Sequence, residues 1–184
     1  FNGNLIDAES IYIGRKSDNN QSESVFSVST GSKIGKVTYD DLDQINKCLK
    51  KNNSSIWSNT KVEERSLILN KIADDLDQNP YELIYFLINE AGKTIQNAFD
   101  EIREAIDFLR YYSNQIIEIS NIKELEGPTG EKNIISYCSK GRILCISPWN
   151  FPVAILIGQI SAALACGNNV IIKPSEHTSI LGYL

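Results

Sequence analysis

The sequence predicts an α/β protein, with a helical amino-terminal part followed by the first βαβ unit of a parallel sheet. Three observations predict it. Apolar residues recur at helical spacing from residue 39 to about residue 120. A strand-like run, a wholly apolar stretch and a second short strand then follow in the order of a βαβ unit. After residue 132 only Lys140, Arg142, Lys173 and Glu176 are charged, so the last third of the chain reads as interior.

Residues 1–38 are rich in Ser, Asn and Gly, and read as an irregular segment with short edge strands such as Val25-Phe26-Ser27-Val28. Residues 39–127 form the helical part. Thr38 is the expected N-cap of a helix carrying Leu42, Ile45 and Leu49, which Asn52-Asn53-Ser54-Ser55 ends. Thr60 and Glu63 have the spacing of a capping box, with Val62, Leu69, Ile72 and Leu76 on one face behind it. Asn79-Pro80 stops that helix and starts the next, whose buried side is Leu83, Ile84, Leu87 and Ile88, and Gly92 ends it. Thr94 opens the longest helix, with Ile95, Phe99, Ile102, Ile106, Leu109 and Ile116 on one stripe. The turn cluster Gly127-Pro128-Thr129-Gly130 marks a change of role. In residues 128–141, Asn133–Cys138 reads as a strand that turns at Lys140-Gly141 into a second strand, Arg142–Ile146. Residues 142–184 begin the parallel sheet. Phe151–Cys166 is apolar all round and reads as a core helix, capped by Gly167-Asn168. Val170-Ile171-Ile172 reads as a short, fully buried strand.

Composition excludes several classes of function. With 184 residues, 42% hydrophobic and 22% charged, the chain can bury a core. A net charge of −5 argues against a nucleic-acid footprint. Cys48, Cys138, Cys145 and Cys166 include no C-x-x-C pair, so neither a zinc site nor a disulfide scaffold is expected. The longest apolar stretch, from Val153 to Cys166, is too short for a bilayer span. No secretory signal is visible, and a chain that opens at Phe1 with no Met is expected to be part of a longer protein.

Standard motifs are largely absent. There is no G-x-G-x-x-G and no G-x-S-x-G. Gly92-Lys93-Thr94 imitates the end of a P-loop, but the first glycine would fall at Leu87, inside a helix. The single histidine, His177, has no acid or nucleophile arranged around it and reads as an ordinary loop residue. What remains lies after the two carboxy-terminal strands, in Ser147-Pro148-Trp149-Asn150-Phe151-Pro152 and in Lys173-Pro174-Ser175-Glu176. Ligands of open parallel sheets bind outside the carboxyl ends of the strands. Two prolines stiffen the backbone around Asn150, and a rigidly held amide donor suits an oxyanion hole. The Lys173 ammonium and the Glu176 carboxylate suit the hydroxyls of a ribose. Equally, Trp149 and Phe151 can cap the core, and Asn150 can be a turn residue bonding its own backbone.

The run ISPWNFPVAILIGQISAALACGNNVIIKPSE, from Ile146 to Glu176, resembles the aldehyde dehydrogenase superfamily: a P-W-N-F-P loop, an apolar helix, a G-N strand entry and K-P-[SA]-E. The segment EAGKTIQNAFDEIREAIDFLRYY, from Glu90 to Tyr112, is similar to the L-glutamate-γ-semialdehyde (Δ1-pyrroline-5-carboxylate) dehydrogenase branch, most of all to that part of the bifunctional proline utilization A proteins. The resemblance implies a truncated Rossmann-like cofactor domain for residues 142–184, packed by helices 39–120, with an oligomerising β-extension before it. It implies NAD as cofactor and Asn150 as the donor to the oxyanion. Lys173, Ser175 and Glu176 would lie at the adenosine ribose, and Ile146, Ser147, Pro148 and Trp149 along the nicotinamide. Glu104 would face the substrate entrance, or otherwise be a solvated helix face. A cytoplasmic, homo-oligomeric parent enzyme follows, peripheral to the inner membrane in some relatives, and an upstream proline dehydrogenase domain on the same chain is compatible with it.

The family mechanism needs a nucleophilic cysteine and a base glutamate that lie downstream of K-P-S-E. None of the four cysteines here has the matching context, so this stretch alone is expected to be inert, with an unpaired sheet edge beyond Val170–Ile172. Oxidation of another aldehyde, such as succinic semialdehyde or betaine aldehyde, and a non-catalytic assembly role are the alternatives.

Overall fold

The computed structural model describes residues 5–9, 11–12, 15–16, 22–50 and 56–184. The chain runs β1 (Ile6–Glu9), β2 (Ile11–Tyr12), β3 (Arg15–Lys16), β4 (Ser22–Phe26), β5 (Lys33–Thr38), α1 (Leu42–Lys50), α2 (Ile56–Asn59), α3 (Val62–Gln78), α4 (Tyr81–Asn89), α5 (Ile95–Ile119), β6 (Lys123–Leu125), β7 (Asn133–Ile135), β8 (Arg142–Ile146), α6 (Ala154–Ala165) and β9 (Asn169–Lys173). A 3₁₀ turn (Glu176–Thr178) and α7 (Ser179–Tyr183) complete it.

The amino-terminal strands are more organised than their composition suggests. β5 pairs in parallel with β1 and antiparallel with β4, a three-stranded sheet, while β2 and β3 form a separate ribbon. Ser27 Oγ donates to Asn89 Oδ1, and the Val28 amide donates to the Asn89 carbonyl, so the sheet is tied to the end of α4. The core gathers Ala8, Ile34 and Val37 from this sheet with Leu69 and Ala73 of α3, Phe86 and Leu87 of α4, Ile102, Ala105 and Leu109 of α5, and Ile180 of α7.

Two expected helix starts differ from the sequence reading. Asp41, not Thr38, caps α1: its carboxylate accepts from the Gln44 amide at 2.8 Å, and the Gln44 side chain accepts from the Asp41 amide. Thr38 is still hydrogen-bonded within β5. The Thr60–Glu63 capping box does not form, because the Thr60 hydroxyl donates to the Ile56 carbonyl of the unforeseen short helix α2. Leu42, Ile45 and Leu49 are exposed, as is Ile72 of α3. The expected stop at Asn52–Ser55 lies outside the described residues.

The α4–α5 junction forms as read. Gly92 has φ of 71°, a left-handed conformation that costs glycine little, and the Lys93 amide donates to the Leu87 carbonyl. Thr94 caps α5 by accepting from the Asn97 amide. The buried stripe of α5 differs at its start: Ile95 and Phe99 are exposed, and Ala98 and Glu101 face inward. Ala98 is small and Glu101 is paired, so α6 can pack close to α5.

The strand Asn133–Ile135 does not turn into Arg142–Ile146. It pairs antiparallel with β6, whose sequence Lys123-Glu124-Leu125 gave no strand signal, so the hairpin begins before residue 128. β8 instead pairs in parallel with β9, in register from Arg142 opposite Asn169 to Ile146 opposite Lys173. Asn168 fixes this register: its Oδ1 accepts from the Lys140 and Gly141 amides and its Nδ2 donates to the Ala163 carbonyl. β9 is not fully buried. Ile172 is exposed, as are Leu144 and Ile146 of β8, because α6 covers only one face of the pair.

Candidate functional site

β8 and β9 run parallel, so their carboxyl ends deliver the two candidate loops to one place. The Ser147 amide donates to the Lys173 carbonyl at 3.3 Å, which joins the start of the first loop to the start of the second. The side chain of Gln159, one face of α6, donates to the Ile146 carbonyl at 3.0 Å and holds the strand end against the helix. Ser147 is buried, and its hydroxyl has no partner among the described residues. Pro148 is half-buried, Ile146 and Trp149 are exposed, and Asn150 is exposed at the bend that follows.

On the second loop, Lys173 Nζ lies 3.5 Å from Glu176 Oε2 and donates to the Pro174 carbonyl at 3.0 Å. The Glu176 carboxyl sits below the usual carboxylate range, held there by its own backbone amide and by Lys173. It is therefore ionised at neutral pH, an acceptor only. The Ser175 side chain is committed to the fold: it is buried and accepts from the His177 amide, capping the 3₁₀ turn. His177 is exposed in that turn. Glu104 is exposed one turn along α5 from Glu101, on the same side of that helix.

Both loops run into helices whose first amides are taken by buried glutamates. Glu101 Oε1 accepts from the Val153 amide at 2.8 Å and the Ala154 amide at 3.2 Å, where α6 begins. Glu90 accepts from the Ile180 and Leu181 amides of α7, each at 2.9 Å. Carboxylates at helix amino termini meet both the free N–H groups and the positive end of the helix dipole. The opposite end of α6 is matched in sign. Arg65 Nε donates to the Ala165 carbonyl at 3.0 Å, and Trp57 Nε1 donates to the Leu164 carbonyl at 2.9 Å. Gly167, at φ 78°, leaves the room that the Arg65 guanidinium occupies. Four side chains, from α2, α3, the residue that follows α4, and α5, thus anchor the helices behind the two loops.

None of these anchors was singled out as functional from the sequence. One signal was present: Glu101 falls on the stripe of Ala98, Ile102 and Ala105, where a charge has no place unless it is paired. The three cysteines whose side chains are described take no part in the loops. Cys138 is exposed and lies outside any strand, Cys166 is exposed at the end of α6, and Cys145 is buried in β8, where burial pushes its thiol up. No group of metal-ligating side chains occurs among the described residues.

Adjacent parallel strands whose carboxyl ends carry an exposed amide side chain, a cation and a carboxylate make this an α/β chain, the architecture in which ligands bind outside those strand ends. The chain belongs to the aldehyde dehydrogenase family, whose model matches residues 15–184. It is 44% identical over 130 residues to the bifunctional protein PutA of Escherichia coli (strain K12), a match covering 71% of this chain and 9% of that protein. It is 36% identical over 150 residues to 1-pyrroline-5-carboxylate dehydrogenase 1 of Halalkalibacterium halodurans, covering 80% of this chain and 29% of the relative. The fold matches the crystal structure of a Thermus 1-pyrroline-5-carboxylate dehydrogenase with bound NAD at a TM-score of 0.89 and 28% identity, over 97% of this chain and 36% of that one. The chain therefore spans between 9% and 36% of the length of these relatives.

Proposed function

We propose that this chain is the amino-terminal part of an NAD-dependent dehydrogenase that oxidises L-glutamate γ-semialdehyde to glutamate in proline catabolism. The observation that carries the reading is the meeting of the two loops at the ends of β8 and β9, in a chain similar to proteins named PutA and 1-pyrroline-5-carboxylate dehydrogenase. The residues present fit a dinucleotide. The orphaned Ser147 hydroxyl offers a buried polar contact beside the nicotinamide, and Ile146, Pro148 and Trp149 supply an apolar wall. Lys173 and Glu176 present a donor and an ionised acceptor, 3.5 Å apart, to the ribose hydroxyls. Ser175 acts by holding the turn that carries Glu176. NAD, when bound, accepts the hydride.

Asn150 supplies the chemistry that this stretch contributes. A thiolate, carried outside this chain, attacks the aldehyde carbonyl and leaves charge on its oxygen. The Asn150 amide donates a hydrogen bond to that oxygen, and its fixed loop spares reorganisation as the charge develops. Glu104, exposed on α5, lines the approach of the substrate. The β6–β7 hairpin exposes Leu125, Ile134, Ile135 and Tyr137, which suits a role in forming a homo-oligomer of the parent protein. A proline dehydrogenase domain on the same chain accords with the PutA relatives. A cytoplasmic location belongs to the same proposal; among the described residues no helix is long and apolar enough to cross a membrane.

A substrate panel tests this reading. The full-length protein is assayed for NADH formation with L-glutamate γ-semialdehyde, succinic semialdehyde and betaine aldehyde. A kcat/KM highest for glutamate semialdehyde is expected. A preference for another aldehyde would refute the assignment to proline catabolism, and no turnover of any would favour a non-catalytic assembly role.

A further inference from the structure

Glu101 and Lys93 share an arrangement that packing alone does not explain. The Glu101 side chain is wholly buried, and that of Lys93 is 11% exposed. Glu101 Oε2 lies 2.7 Å from Lys93 Nζ. The same ammonium stands 4.0 Å above the centre of the Phe151 ring, a cation–π contact. Glu101 Oε1 meanwhile takes the amides of Val153 and Ala154. The pair therefore grips the loop at the residue after Asn150 and again three and four residues after it. Pro152, buried between the two grips, adds its own restraint.

Lys93 itself is fixed from both sides. Its amide closes the end of α4 on the Leu87 carbonyl, and the next residue caps α5. Glu101 sits two turns into that helix. The loop is thus referenced to a rigid helix–turn–helix corner rather than to its own backbone. Buried ion pairs gain little net stability over apolar residues of similar size, because desolvating both charges offsets their attraction. Their best-supported benefit is fixing one arrangement among several, and here the fixed object is the loop bearing Asn150.

We propose that Glu101 and Lys93 are a positioning pair that sets the Asn150 amide for the reaction. The inference rests on the function proposed above. Neither residue need touch substrate or cofactor, so their loss falls on kcat. A donor displaced by about 1 Å costs on the order of 10²-fold in rate.

The test uses the full-length protein and the variants Glu101→Gln, Lys93→Met and Lys93→Arg, with glutamate semialdehyde and NAD. Glu101→Gln and Lys93→Met should each lower kcat by roughly 10- to 100-fold and leave both KM values within about 2-fold. Lys93→Arg should restore most of the rate, since a guanidinium keeps both the ion pair and the ring contact. Amide hydrogen exchange at Val153 and Ala154 is measured on the same samples and should speed up in Glu101→Gln. An unchanged kcat in folded variants would overturn the proposal, as would a parallel fall of kcat, NAD affinity and melting temperature, the mark of a purely structural role. If the unmodified protein turns over no aldehyde, the proposed function fails on its own. Unchanged exchange at Val153 and Ala154 would then overturn the pair as well, and faster exchange would support the grip on the loop.

Discussion

Replacing Glu90 by Gln should remove a pH dependence of stability whose sign and size follow from its site. Glu90 is buried between α4 and α7. Burial pushes its carboxyl up from 4.5 to about 7, against the opposing pull of the Ile180, Leu181 and Ser179 amides. Between those two values the folded protein holds a proton that the unfolded chain releases, so stability falls as pH rises. The contribution is fully present below about 4.5 and is lost as pH passes through about 7. That displacement corresponds to about 3 kcal/mol across the window. Urea unfolding of the full-length protein and of Glu90→Gln, at pH 5, 6, 7 and 8, measures it. The difference between the two should change by about 2.5 kcal/mol from pH 5 to pH 8, with the variant gaining on the unmodified protein as pH rises. Amide exchange at Ile180 and Leu181 should follow the same trend. Parallel stability profiles, or a difference of opposite sign, would refute the reasoning that desolvation outweighs the three amides.

Two further outcomes follow from the anchors and the cysteines. Arg65→Met should destabilise by about 2–4 kcal/mol, read by urea unfolding, because the buried Ala165 carbonyl and the half-buried Thr60 carbonyl both lose their donor. Iodoacetamide should label Cys138 and Cys166 well before Cys145, whose thiol is buried and pushed up, with mass spectrometry reporting the order.

Much of the βαβ unit was legible because its signals are local: an apolar run bounded by Pro152 and Gly167, and two β-rich stretches ending in Pro-containing loops. The α4–α5 corner was legible for the same reason, since Gly92 and Thr94 act on their own neighbours. Strand partnership was not. Whether Asn133–Ile135 pairs forward or back depends on where α5 ends and the chain returns, and β6 has no strand-like composition of its own. The caps failed where competing acceptors lay outside the local motif: Thr60 turned to the Ile56 carbonyl, and Asp41 displaced Thr38. The loops of the candidate site were marked by residue type, but their supports were not. Glu101, Lys93, Glu90 and Arg65 reach partners 50 to 100 residues away, and only the fold brings them together.

The role proposed for Asn150, in the loop that follows β8, is donation to the aldehyde oxygen during its oxidation by NAD. The most direct measurement is NADH formation from L-glutamate γ-semialdehyde by the full-length protein and its Asn150→Ala variant, followed by absorbance. Loss of one oxyanion donor predicts a fall in kcat of about 10²–10³-fold, with NAD affinity unchanged. A variant that turns over at the unmodified rate would contradict the account.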